Sequence, residues 1–203
     1  MPAASWLWIG LGGLSLLGLL AAEVRRRPLA RAAFKVACSL GFLLLALAQG
    51  LEGRFAQWVF AGLVLSALGD VFLIFPSGRA FLAGLVAFLL AHLAYVGAFA
   101  AEGSPGPWAF ALVLGVGLGV VRWLWPHLEG WRVPVLAYAA VISLMLLFAL
   151  ATGRPEARLG ALLFYLSDLF VARERFVRSE VLNPLLGLPL YYVGQYLLAL
   201  SVG

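Results

Sequence analysis

The sequence has 203 residues, of which 64% are hydrophobic and 11% are charged. Soluble domains are typically about 45–50% apolar and about 25% charged, so this composition excludes a water-soluble domain. The apolar runs are continuous and rich in Leu and Ala, without the alternation that is typical of a transmembrane barrel. We therefore predict an all-α protein, a polytopic membrane helix bundle.

Eight apolar segments have about the length that a bilayer requires, and together they form one transmembrane domain over residues 1–203. Turn-forming residues separate the segments, such as Pro76-Ser77-Gly78 after the third and the Gly/Pro-rich stretch 103–107 after the fourth. The first segment has no basic region before it, which favours a retained span over a cleaved signal peptide. The predicted spans are 5–22, 34–49, 55–75, 79–100, 108–125, 133–150, 157–172 and 183–202.

The basic residues are distributed unevenly between the two ends of the predicted bundle. Of the 14 Lys and Arg residues, all but Arg54, Arg154 and Arg158 lie at the odd-numbered connections between spans. The positive-inside rule places those connections in the cytoplasm and both termini outside a cell membrane. The net charge of +5 is thus attributed to membrane topology, and no nucleic-acid partner is predicted.

Two short similarities indicate an internal repeat of four plus four spans. Residues 65–70 resemble 164–168, and Tyr95-Val96-Gly97 resembles Tyr192-Val193-Gly194, at nearly the same offset along the chain. Such duplications often place a site between the halves. The GxxxG pattern in 115–119 is compatible with a homodimer, although it is also a common device for packing helices within one chain.

The acidic residues divide sharply by type. All seven glutamates lie in connections or at span edges, whereas both aspartates, Asp70 and Asp168, lie inside spans. A charge at the bilayer centre costs about 2.5–3.5 kcal/mol on the insertion scale. Both aspartates are expected at similar depth near the cytoplasmic side, so we predict that they share a functional site there. The alternative is a purely structural role, pairing with Lys35 or capping a helix.

Other polar residues in the spans are candidates for the same site. Two histidines, His92 and His127, are too few for a three-His zinc site, and neither a metal nor another cofactor is predicted. Two carboxyl groups at low dielectric suit general acid/base chemistry, with one protonated and the other ionised. The predicted supporting residues are Lys35, Ser66, His92, Tyr95, Tyr138, Ser167, Tyr192, Gln195 and Tyr196. For His92, a structural hydrogen bond between helices is the alternative.

Several short motifs together resemble the YhhN family, which includes the lysoplasmalogenases, membrane hydrolases of eight predicted spans. The resemblance runs from about residue 30 to the C-terminus, with one departure at Val36, where relatives usually have proline. The motifs are Phe34-Lys35, Gly69-Asp70, Ala91-His92-Leu93-Ala94-Tyr95, Gly160-Ala161-Leu162-Leu163-Phe164 leading to Ser167-Asp168, and Tyr191-Tyr192-Val193-Gly194-Gln195-Tyr196.

The resemblance implies hydrolysis of the vinyl ether bond of a lysoplasmalogen, a lysophospholipid taken from the membrane. The products would be a fatty aldehyde and a glycerophospho-ethanolamine or glycerophosphocholine. Asp70 and Asp168 would form the acid/base pair, with the two roles left unassigned, and Lys35 would bind phosphate or tune a carboxylate. The alternatives are a hydrolase of another lysolipid and a proton-coupled transporter that uses the same aspartates.

Overall fold

Eight α-helices joined by short connections form the fold in the computed structural model, which describes residues 3–203. All eight predicted segments are helical, so the predicted fold class is confirmed, while the first two residues of the predicted domain lie outside the described part. The helices are α1 (Ala3–Val24), α2 (Pro28–Gln49), α3 (Gly53–Phe72), α4 (Gly78–Phe99), α5 (Pro107–Leu124), α6 (Arg132–Ala151), α7 (Pro155–Ala172) and α8 (Leu182–Leu200).

Local sequence explains where half of the helices begin. Pro28, Pro107 and Pro155 stand at the first turns of α2, α5 and α7, where the missing backbone N–H of proline costs nothing. Ser77 caps α4, because its hydroxyl accepts a hydrogen bond of 3.1 Å from the backbone N–H of Ala80. These signals set the short connections that hold successive helices together as hairpins.

Helix α2 begins six residues earlier than the sequence predicts. The prediction placed Lys35 at the start of the second span, but the helix begins at Pro28. A salt bridge of 2.6 Å between Arg31 Nε and Glu23 Oε1 joins this first turn to the end of α1. Lys35 consequently lies about 10 Å along the helix, at 1.5 Å per residue, and is buried.

Helix α8 is the centre of the bundle. It packs closely against α7 and also contacts α1, α2 and α3, while α4 and α7 both pack on α6. Helix α5 packs chiefly on α6 and leaves most of its surface exposed. The odd-numbered connections, with most of the basic residues, lie together at one end of the bundle, which we call the basic end.

Six helices, α1 to α6, are long and apolar enough to cross a membrane. Helices α7 and α8 are more polar, since α7 carries Glu156, Arg158 and Asp168 and α8 carries Asn183 and Gln195. A multi-pass membrane protein is therefore supported. Eight crossings, the four-plus-four repeat, the orientation of the termini and the homodimer stay predictions.

Helices α7 and α8 cross at two glycines that allow backbone contact. A Cβ atom at Gly160 would lie 2.9 Å from the carbonyl oxygen of Gly194, and one at Gly194 would lie 2.9 Å from the carbonyl oxygen of Gly160. Small residues are the usual means by which membrane helices approach so closely. The contact matters for the site, because α7 carries Asp168 and α8 carries the tyrosines near Asp70.

Substituting either glycine with alanine should destabilise the bundle. We expect Gly160→Ala or Gly194→Ala to lower the free energy of unfolding by about 1–3 kcal/mol, because overpacking forces the backbones apart. The matched control is Gly115→Ala in α5, where a Cβ meets nothing within 4 Å. Denaturation in mixed micelles measures the effect, and equal stability of all three variants would contradict this account of the crossing.

Candidate active site

A cavity of about 590 Å³ lies at the basic end of the bundle, and residues of all eight helices line it. Both aspartates of the chain, Asp70 of α3 and Asp168 of α7, are among the lining residues. Much of the remaining wall is apolar, with Leu85, Phe88 and Ile142 as examples. The two carboxyl groups that the sequence singles out are therefore brought to one site.

Asp70 forms a buried ion pair with Lys35. The Lys35 Nζ atom lies 2.5 Å from Asp70 Oδ1, and the two residues are 5% and 2% exposed. The pairing that the sequence analysis kept as a structural alternative is thus present, but both partners also line the cavity. Because Lys35 pairs with Asp70, the Asp70 carboxylate can stay charged at the wall of a cavity that an apolar substrate would fill.

Two hydroxyl groups complete the hydrogen bonding of Asp70. Ser39, one turn beyond Lys35 on α2, donates to Asp70 Oδ2 at 2.8 Å, and Tyr191 of α8 donates to the same oxygen at 2.8 Å. The backbone oxygen of Lys35 also accepts a hydrogen bond of 3.3 Å from Tyr192. The side-chain donors to Asp70 therefore come from two helices, α2 and α8, while Asp70 itself belongs to α3.

Asp168 has a different environment. Its Oδ2 atom accepts a hydrogen bond of 2.5 Å from the hydroxyl of Tyr138 on α6, and Ser167 Oγ lies 3.5 Å from Oδ1. Ser167 donates more closely, at 2.7 Å, to the backbone oxygen of Phe164. Within residues 3–203, no Lys, Arg or His nitrogen lies within 4 Å of the Asp168 carboxyl group. The two aspartates thus differ in the charge that surrounds them.

The predicted supporting residues fall into two groups. Lys35, Tyr138 and Ser167 line the cavity together with the aspartates. The others lie deeper in the bundle, outside the lining of this cavity, where they contact residues of the cavity wall or their neighbours. This second group is Ser66, His92, Tyr95, Tyr192, Gln195 and Tyr196.

The deeper residues form two kinds of contact. Tyr95 donates a hydrogen bond of 2.9 Å to Gln195 Oε1, and its hydroxyl lies 3.4 Å from Ser66 Oγ. The fully buried ring of His92 packs edge-on against Tyr138, with ring centres 5.2 Å apart, and lies 4.6 Å from the ring of Phe164. His92 therefore contacts the tyrosine that binds Asp168 rather than the cavity itself.

Two residues that bind Asp70 were absent from the predicted site. Ser39 follows Lys35 by four residues on the same helix face, which is a signal that the sequence does offer. Tyr191 precedes Gln195 by four residues, but the sequence gives no reason to prefer it over the neighbouring Tyr192 as a residue of the site. Only the rotation of α8 against α3 decides that Tyr191 faces Asp70.

The mouth of the cavity is polar. Glu23 and Arg31 line it as an ion pair, and the π-helical turn Arg173–Val177 contributes Glu174 and Arg175. Partial burial acts to raise the pKa of the Glu174 carboxyl, but hydrogen bonds from Asn183, Ser179 and the backbone N–H of Glu180 outweigh it and hold that pKa below its usual value. Glu174 is therefore ionised, and the hydrogen bonds from these neighbours stabilise its carboxylate.

Comparison with known proteins identifies relatives over most of the chain. The sequence profile of the YhhN family matches residues 30–202. A protein of Mycobacterium tuberculosis (strain CDC 1551 / Oshkosh) named lysoplasmalogenase is 32% identical over 181 residues, which cover 84% of this chain and 68% of the relative.

Two mammalian relatives carry the name lysoplasmalogenase TMEM86B. The protein of Mus musculus is 38% identical over 151 residues, covering 73% of this chain and 65% of its own. The protein of Rattus norvegicus is 35% identical over 222 aligned positions, covering 97% of this chain and 92% of its own. No solved structure matches the chain.

Breaking the buried ion pair from one side should cost more stability than removing both charges. We expect Lys35→Met or Asp70→Asn alone to lower the free energy of unfolding by about 3–5 kcal/mol, since each leaves a buried charge unpaired. The double variant should recover at least half of that loss. Denaturation in mixed micelles gives all three values.

The Glu23–Arg31 pair, in which only the arginine is exposed, provides the control for this cycle. Arg31→Gln should change the free energy of unfolding by at most about 1 kcal/mol, because solvent competes for a pair whose arginine side chain is 43% exposed. If the Lys35 and Asp70 effects proved additive in the double variant, the ion pair would not be the source of the stability.

Proposed function

The chain belongs to the YhhN family, and on that premise we propose that it is a membrane-embedded hydrolase that cleaves the vinyl ether bond of lysoplasmalogens. The products are a fatty aldehyde and a glycerophospho-ethanolamine or glycerophosphocholine. Relatives that align with most of the chain are named lysoplasmalogenases, which supports the substrate class. The observation that carries the proposal is that Asp70 and Asp168 line one largely apolar cavity.

The reaction requires an acid before it requires a nucleophile. A vinyl ether hydrolyses when its β-carbon takes a proton, which gives an oxocarbenium ion, and water then adds to the carbon beside the ether oxygen. The resulting hemiacetal loses its hydroxyl proton, the bond from that carbon to the glycerol oxygen breaks, and the glycerol oxygen takes up a proton. A general acid and a negative charge near the cation are the groups that this sequence needs, as in glycoside hydrolysis.

We assign the acid to Asp168. An ionised carboxyl group in an apolar site without a compensating cation is costly, and within residues 3–203 no cation pairs with Asp168. The neutral acid is consistent with its hydrogen bond from Tyr138, which occupies Oδ2 and leaves Oδ1 to hold the proton. After protonating the substrate, Asp168 recovers a proton from the attacking water.

We assign charge stabilisation to Asp70. Its carboxylate is held by Lys35, Ser39 and Tyr191 at distances of 2.5–2.8 Å, so it remains fixed while the substrate enters. A preorganised negative charge stabilises the oxocarbenium ion without reorganisation at the moment of reaction. This division of roles is what the different surroundings of the two aspartates support.

We further propose that the basic end of the bundle faces the cytoplasm and that both termini lie on the outer side of the cell membrane. Eleven of the 14 basic residues lie at this end, which is the arrangement that the positive-inside rule favours. A single-chain lipid would then enter the cavity from the inner leaflet, with its tail against the apolar wall. A reporter fused to the C-terminus tests the orientation, and a cytoplasmic reporter would contradict it.

Hydrolysis in D₂O tests the order of the chemical steps. We expect purified protein to release an aldehyde that carries one deuterium on the carbon next to the carbonyl, because that carbon receives the proton from the acid. Mass spectrometry of the trapped aldehyde measures the label, and authentic aldehyde incubated under the same conditions controls for exchange. The alkyl ether analogue, which has no double bond to protonate, should be inert.

The labelling experiment also separates the candidate functions. A transporter would release no aldehyde from a lysoplasmalogen, whereas an aldehyde without deuterium would exclude protonation on carbon. A hydrolase of another lysolipid would cleave a different bond, such as an acyl ester, and would release no aldehyde from a lysoplasmalogen.

Removing either carboxyl group should lower the rate of aldehyde release by the protein that remains folded. We expect Asp168→Asn to lower kcat by at least about 100-fold, because an amide cannot supply the acidic proton. Asp70→Asn should also lower kcat, through loss of the fixed charge. Glu156→Gln is the matched control, since Glu156 is an exposed acid on the same helix as Asp168. Full activity in either aspartate variant would refute the two-carboxylate site.

A further inference from the structure

Three basic side chains line the cavity, and they differ in how they are paired. Lys35 is bound to Asp70 at 2.5 Å, and Arg31 is bound to Glu23 at 2.6 Å. The third, Arg175 in the π-helical turn after α7, has no acidic partner within 4 Å in the described part of the chain. Arg175 is therefore the cation of the cavity wall whose charge is available to a ligand.

Aromatic rings hold the Arg175 guanidinium at the cavity mouth. Its central carbon lies 4.6 Å from the ring centre of Phe81 and 5.8 Å from that of Trp131. Those two rings pack edge-on with centres 5.5 Å apart, and Phe176 packs against both. A guanidinium stacked on a ring keeps the N–H groups in its plane free for hydrogen bonds.

The acid next to Arg175 in sequence does not neutralise it. Glu174 accepts hydrogen bonds from Asn183 Nδ2 at 2.6 Å, from the backbone N–H of Glu180 at 3.0 Å and from Ser179. These contacts direct the Glu174 carboxylate into the loop between α7 and α8. The same contacts stiffen the loop, so Arg175 projects from an ordered segment.

We propose that Arg175 binds the phosphate group of a lysophospholipid and so holds the head group at the mouth while the chain lies in the cavity. The planar fork of arginine matches two phosphate oxygens at once. The apolar wall formed by residues such as Leu85 and Phe88 receives the chain of the same molecule. The inference rests on the proposed function for the identity of the lipid, but the binding step can be measured without turnover.

A binding experiment with uncleavable ligands tests the proposal. Protein in maltoside micelles, which contain no phosphate, is titrated with an alkyl ether lysophosphatidylethanolamine or with the corresponding alkylglycerol, which lacks the phosphate. Binding is followed by tryptophan fluorescence, because Trp131 lies beside Arg175. We expect Arg175→Gln to raise the Kd of the phospholipid by about tenfold or more and to leave the Kd of the alkylglycerol unchanged.

Two further variants control for general effects. Arg178→Gln removes an arginine of the same loop that is paired with Glu180 at 2.8 Å and does not line the cavity, so it should change neither Kd. Arg175→Lys keeps the charge but loses the fork, and it should give an intermediate Kd for the phospholipid. Thermal unfolding of each variant establishes that the bundle is intact.

The activity assay gives an independent measurement. With lysoplasmalogen as substrate, Arg175→Gln should raise KM by a similar factor with little change in kcat, because the residue binds a part of the substrate remote from the reacting bond. With alkenylglycerol, the variant and the unchanged protein should have the same kcat/KM. Failure of the unchanged protein to release aldehyde would refute the hydrolase proposal, while the binding result would still decide the role of Arg175.

The outcomes distinguish the sources of the phosphate. An unchanged phospholipid Kd in Arg175→Gln, or an equal loss for the phospholipid and the alkylglycerol, would overturn the proposal. Inorganic phosphate that binds as tightly as the phospholipid would assign the site to free phosphate instead. If Arg175→Gln weakened binding only in phospholipid vesicles, and equally for both ligands, Arg175 would contact the bilayer and not the bound lipid. That result would also overturn the proposal.

Discussion

The buried ion pair between Lys35 and Asp70 determines how the helices at the basic end can meet. Two charges in an apolar bundle are tolerated only when they are close together and their remaining hydrogen-bonding groups are satisfied. Ser39 and Tyr191 supply the further hydrogen bonds, so α2, α3 and α8 must approach one another at one depth. The cavity forms where these helices and their neighbours leave space beside the pair.

The glycine contact between α7 and α8 brings the second carboxyl group to the same place. Helix α8 carries Tyr191 toward Asp70, and the backbone contact at Gly160 and Gly194 holds α7 directly against α8. Asp168 on α7 thereby lines the cavity that Asp70 lines. One aspartate is neutralised by an ammonium group and the other is bound by a tyrosine hydroxyl, and this asymmetry allows the two carboxyl groups different chemical roles.

The sequence predicts the helices well, because apolar segment length and proline or glycine breaks act locally. It also singles out the two aspartates and Lys35, which line the cavity. A charged residue inside a span is conspicuous in a chain with so few charges. It does not predict Tyr191 over Tyr192, since the rotation of α8 depends on packing against α3. The depth of Lys35 follows only from the full length of α2, which begins at Pro28, six residues before the predicted span.

The position of the cavity at one end of the helices has a consequence for the fate of the products. A site at that depth adjoins both the hydrocarbon layer and the aqueous phase, and the proposed cleavage separates one amphiphile into two molecules that partition oppositely. The long-chain aldehyde favours the lipid, and the phosphate-bearing fragment favours water. Their departure into different phases lowers the local concentration of each partner for the reverse reaction, so partitioning itself gives the hydrolysis a direction.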